Sequence, residues 1–140
     1  MQTATNVAQW LVRLTGMTQV VLGVLFWTGR ALTFIPLHMA LGLTFVLGLW
    51  ALAGLGARAG VRLPLVVSGV LWGAFVLGLG MAQRSLLLGP WHWVVQVLHL
   101  LVGFAAMALA ARLAAVIRKC GSRDRSRSSY DSSQPGLAGA

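Results

Sequence analysis

Four apolar stretches, separated only by short connections, constrain this chain more than any other feature. They cover roughly residues 7–28, 32–55, 63–81 and 91–117. Each approaches or exceeds the ~20 residues that carry a helix across ~30 Å of hydrocarbon. Such stretches must satisfy their own backbone groups in lipid, and helices do so within a single segment. Short connections around Gly29-Arg30, residues 56–62 and residues 83–90 leave an up-down order as the simplest path. The expected fold is therefore an all-α integral membrane protein, an up-down four-helix transmembrane bundle over residues 1–118. Residues 119–140 are polar, basic and Ser-rich, and are expected to form a disordered cytoplasmic tail.

Composition and charge agree. Apolar residues make up 58% of the 140, and the mean hydropathy of +0.81 is too high for a soluble domain. Because no polar domain follows the first apolar stretch, it reads as a retained span rather than a cleaved signal. The only acids are Asp124 and Asp131 near the end, and the single cysteine is Cys120. That excludes an intrachain disulfide and a multi-cysteine metal site, and argues against a proton-coupled carrier built on a buried carboxylate.

The eleven basic residues set the orientation. If the helices alternate, Arg13, Arg58, Arg62, Arg112, Arg118, Lys119, Arg123, Arg125 and Arg127 share one side, leaving only Arg30 and Arg84 on the other. Positive charge accumulates in the cytoplasm, so both termini are expected inside, in the plasma (inner) membrane of a prokaryote. Trp27, Trp91 and Trp93 then mark the outer interface and Trp10 the inner one. The net charge of +9 reads as a topology signal with some attraction to anionic lipid. Nothing resembles a nucleic-acid-reading module.

Against this apolar background His38 and His99 stand out. They occur in matched settings, Leu37-His38-Met39-Ala40-Leu41-Gly42 and Leu98-His99-Leu100-Leu101-Val102-Gly103. Ionisable side chains in a span are costly, so their default reading is functional. His38 follows Arg30 by eight residues and His99 follows Trp91 by eight, which places both roughly 12 Å below the outer surface. Equal depth is what two axial ligands of one haem require. Gly42 and Gly103 lie one turn beyond, on the face of each histidine, and leave room for a flat macrocycle. Arg30 and Arg84 are the cations available to haem propionates, since Arg pairs well with carboxylates; alternatively each caps a helix end.

Stripes of small and polar residues accompany the pair: Gly16, Gln19 and Gly23 in the first stretch, Gly69, Gly73, Gly80 and Gln83 in the third, and His92, Gln96, His99, Gly103, Ala106 and Ala110 in the fourth. Plain helix packing also explains such stripes, and the two histidines could instead hydrogen-bond each other or Gln19 and Gln96. His92, between Trp91 and Trp93, reads as an interfacial residue.

The run Gly16-Met-Thr-Gln19-Val-Val-Leu22-Gly23, with Leu37-His38-x-x-x-Gly42 and Leu98-His99-x-x-x-Gly103, resembles one four-helix half of the haem A synthase family. More loosely, it resembles other small four-helix b-type cytochromes. The similarity spans roughly residues 10–112. It implies a haem-holding bundle in which His38 and His99 occupy the ligand positions, and it hints that a half-length chain associates as a homodimer. The family's active half carries a glutamate just before the first histidine, where this chain has Ile35 among apolar neighbours. The paired loop cysteines of some members are missing as well. The methyl-oxidising chemistry is therefore not expected.

Taken together, the residues predict a b-type cytochrome that holds one haem b near the outer leaflet for electron transfer, with a quinone or a redox subunit as natural partner. The competing expectation is a non-catalytic accessory or assembly subunit whose histidines only pack helices.

Overall fold

Two glycines end the first two helices in the same way. In the computed structural model, Gly29 (φ +72°) and Gly60 (φ +71°) adopt the left-handed conformation that costs a residue without a Cβ nothing. After Gly29, Arg30 N–H donates to Leu25 C=O while Gly29 N–H donates to Phe26 C=O. After Gly60, Val61 donates to Gly56 and Gly60 to Ala57. Both are Schellman closures, which satisfy the last carbonyls of a helix and turn the chain back. Pro36 and Pro64 sit in the first turn of the following helices, where a missing N–H is harmless.

The structure describes residues 1–83, 85–86 and 89–132, with side chains through Arg123. It is all-helical, with α1 over Gln2–Trp27, a single 3-10 turn over Leu32–Phe34, α2 over Ile35–Arg58, α3 over Leu63–Ala82 and α4 over His92–Ser132. Four helices are long and apolar enough to cross a membrane. Sequential neighbours pack side by side and α4 returns to α1. Of the two diagonals, α2 meets α4 across the centre, whereas α1 and α3 do not touch.

Two boundaries differ from the sequence expectation. Helix α1 starts at Gln2, because Thr5, Ala8 and Val12 bury one face of the polar N-terminal turns. Helix α4 continues to Ser132, past residue 118 and into the segment expected to be a disordered tail. A docked helix propagates at the gain of one hydrogen bond per residue, and Arg and Lys are good helix formers. Residues 133–140 of that tail lie outside the described residues.

The core is uneven along the bundle axis. Val12, Val46, Leu49, Leu52, Ala106, Ala110, Leu113 and Ala114 are almost wholly buried and occupy the half nearer the N-terminus. Leu113 fills the space over Gly56 and Gly69, with side-chain carbons 3.6 and 3.0 Å from where Cβ atoms would stand. In α2 every buried residue lies between Phe45 and Gly56, and none between Ile35 and Thr44. On α2 the packing thus opens towards the end that carries His38, while Leu22, Leu79 and Val95 of the other helices stay buried there.

Side-chain hydrogen bonds link adjacent helices. Trp50 Nε1 donates to Val70 C=O at 3.1 Å and Trp72 Nε1 to Val102 C=O at 3.1 Å. Arg118 donates to Gln9 Oε1 at 2.6 Å. Each interhelical bond of this kind contributes about 0.6 kcal/mol in a membrane setting, so the ties set register while packing supplies most of the stability. Trp50 lies tight against Gly73, where an added Cβ would stand 2.5 Å from the indole Nε1. Gly42 is also tight, but its neighbour is the far end of a flexible side chain, Gln19 Nε2 at 2.7 Å. Gly73→Ala is therefore expected to cost about 1–3 kcal/mol through displacement of a bulky ring and its hydrogen bond. Gly42→Ala should cost less than about 1 kcal/mol. Equilibrium unfolding in mixed micelles checks the order; equal losses would contradict it.

Candidate functional site

His38 is on the first turn of α2 and His99 is two turns into α4, the two helices that meet across the diagonal. Their imidazoles face one another with ring centroids 6.5 Å apart and planes inclined by 48°. The depth match inferred from spacing therefore becomes a facing pair. Among the described residues neither ring makes a hydrogen bond, and the Nδ1 atoms of both are buried without a partner. The alternative in which the histidines bond each other, Gln19 or Gln96 is not what the side chains do.

The surroundings fix each ring differently. Phe26, near the end of α1, packs edge-on against His38 with centroids 5.3 Å apart and a 63° interplanar angle. Gly80 of α3 lets His99 lie close, since a Cβ there would stand 3.2 Å from His99 Cε1. Thus α1 braces one ring and α3 the other, although those helices do not touch. Sequence reasoning overlooked Phe26; its position seven residues beyond Gln19, two turns along the same face, was the available signal.

The two glycines beyond the histidines behave differently. Nothing lies within 4 Å of an added Cβ at Gly103, so space is open there. At Gly42 the room is occupied by the Gln19 amide, which leaves Gln19 Oε1 buried without a hydrogen-bond partner. Gly42 accordingly admits a side chain from α1 rather than leaving a free slot. Three polar atoms lacking partners, from Gln19, His38 and His99, therefore gather in the same half of an otherwise apolar bundle. An orphaned buried polar atom costs about 1–3 kcal/mol, so a site with three is either strained or made to be satisfied by something else.

Arg30 is exposed on the turn between α1 and α2, at the histidine end, and its backbone N–H closes α1. Arg84 lies outside the described residues. His92 Nδ1 is 3.3 Å from Leu86 C=O, a local contact at the mouth of α4 that fits an interfacial role. Among the described residues no three His, Cys, Asp or Glu side chains converge as a metal site. What the geometry offers is a two-nitrogen site in apolar surroundings, with no carboxylate to act as acid or base. Compared with protein families, with characterised proteins and with solved structures, the chain matches none.

Proposed function

We propose that this protein is a membrane b-type cytochrome in which His38 and His99 are the axial ligands of one haem. The observation that carries this reading is the separation of the facing imidazoles. Two imidazoles on one metal, each bonded at about 2 Å with its centroid about 1 Å behind the nitrogen, lie about 6 Å apart between centroids. The pair stands at 6.5 Å. Its tilt of 48° is compatible, because each ring can rotate about its own metal–nitrogen bond. The donor set fits as well: neutral nitrogen ligands, buried polar atoms lacking partners, and open space beside Gly103.

A haem held by both imidazoles would supply one-electron transfer rather than oxygen chemistry. The residues of the chain do the rest. Phe26 and Gly80 hold the imidazoles in place, and the apolar flanks exclude water. Arg30 and Arg84 are the candidate partners of the propionates at the outer end. The lack of any acid in the four spans separates the chain from the oxidising half of the haem A synthase family and leaves a haem-holding half as the apt comparison. In this reading the bundle is inserted in the plasma membrane of a prokaryote with both termini cytoplasmic, exchanges electrons with a quinone or a redox subunit, and forms a homodimer if it copies the family's duplicated architecture.

One observation favours the competing reading of a non-catalytic accessory or assembly subunit. The Gln19 amide fills the notch at Gly42, as helix packing alone would ask. The spectrum decides. Purified protein expressed with haem available is expected to hold one haem per chain and to give sharp α and Soret bands on dithionite reduction. His38→Ala and His99→Ala each abolish those bands while the protein still accumulates. A colourless, folded, monodisperse preparation overturns the cytochrome.

Topology is tested separately. Cys120, the only cysteine, lies in the last part of α4, beyond Arg118 and Lys119. A membrane-impermeant maleimide should leave it unlabelled in intact cells and label it in inverted vesicles. The opposite pattern would reverse the orientation.

A further inference from the structure

An open groove runs between the N-terminal half of α1 and the C-terminal half of α2, on the opposite end of the bundle from the histidines. It encloses about 1060 Å³. Its lining is mostly apolar, with Val7 and Leu11 from α1 and Leu47, Ala51 and Gly54 from α2, and the buried Ala8 and Gly48 form its floor where the two helices meet. Gly54 is exposed and nothing lies within 4 Å of an added Cβ there, so this side of the groove has room for an occupant. Two lining residues carry a positive group, Met1 with its α-amino group and Arg58. Arg58, in the last turn of α2, stands at the end of the lining and is exposed. No ion pair involves it among the described residues, and the chain's only acids are Asp124 and Asp131.

We infer that the groove binds an anionic phospholipid, its phosphate on Arg58 and one acyl chain along the floor. Two features select this occupant. Positive charge at one end of a mostly apolar channel complements an amphiphile with a negative head, and the Arg58 guanidinium can pair with phosphate through two parallel hydrogen bonds. The length also matches. From Arg58 to Thr44, the polar residue at the far end of the lining, α2 rises about 21 Å. That exceeds the depth of one leaflet, about 15 Å of a ~30 Å hydrocarbon core, by roughly one Arg side chain. The groove thus reaches from a headgroup to the chain ends of a single leaflet. The inference rests on insertion in a membrane and is independent of haem.

Native mass spectrometry of the full chain in detergent, offered equal amounts of phosphatidylglycerol and phosphatidylcholine with the same acyl chains, tests it. The expected result is about fivefold preferential retention of phosphatidylglycerol, the effect of one interfacial cation on an anionic headgroup. Arg58→Gln should lower the preference, Arg58→Lys should keep most of it, and Gly54→Leu should lower retention of both lipids by filling the groove. Equal retention of the two lipids by the unaltered protein would overturn the assignment, as would a preference that Arg58→Gln leaves undiminished. So would a dimer that Gly54→Leu dissociates, because the groove would then hold a second copy of the chain.

Discussion

The approach of α2 to α4 across the centre of the bundle governs the arrangement of everything else. Two helices come that close only where the side chains between them are small, and α4 meets the requirement with Ala106, Ala110 and Ala114, all almost fully buried. Dispersion and close fit between side chains hold helices together at such a contact. Leu113, wedged over Gly56 and Gly69, is the clearest instance. With the diagonal closed at one end by this packing, His38 and His99 are carried to facing positions at the other. No hydrogen bond joins the two rings, so helix packing sets their separation.

The two halves of the bundle therefore have different chemistry. The packed half contains close apolar contacts and, on its flank, a groove ending at an arginine. The open half contains polar atoms without partners, braced by Phe26 from one side and by Gly80 from the other. Natural proteins concentrate unsatisfied polar groups where function needs them and compensate elsewhere. The tight inner core and the three interhelical hydrogen bonds from Trp50, Trp72 and Arg118 are that compensation.

Much of the arrangement was legible in the residues. Four helices, their approximate limits and the turn at Gly29 follow from apolar length and the short connections, whereas Gly60 does not stand out within the connection over residues 56–62. The stripe of His99, Gly103, Ala106 and Ala110 on α4 was legible from spacing, and two of its members, Ala106 and Ala110, enter the core. Other features depend on rotation and on partners, which spacing does not encode. Gly42 looks like Gly103 in sequence, yet one faces the Gln19 amide and the other open space. The Trp50 and Trp72 ties were invisible because an indole within an apolar run reads only as bulk. The extension of α4 was missed because Ser- and Arg-rich composition resembles a solvated tail, although a helix already anchored by Leu113 and Ile117 continues at little cost.

The electron paramagnetic resonance spectrum of the oxidised, haem-supplied protein tests most directly whether both imidazoles bind one iron. Nitrogen ligation on both faces produces a low-spin ferric signal, and either His38→Ala or His99→Ala should convert it to high spin or abolish it. A high-spin signal from the unaltered protein, or a low-spin signal that persists when either histidine is removed, would contradict the pairing.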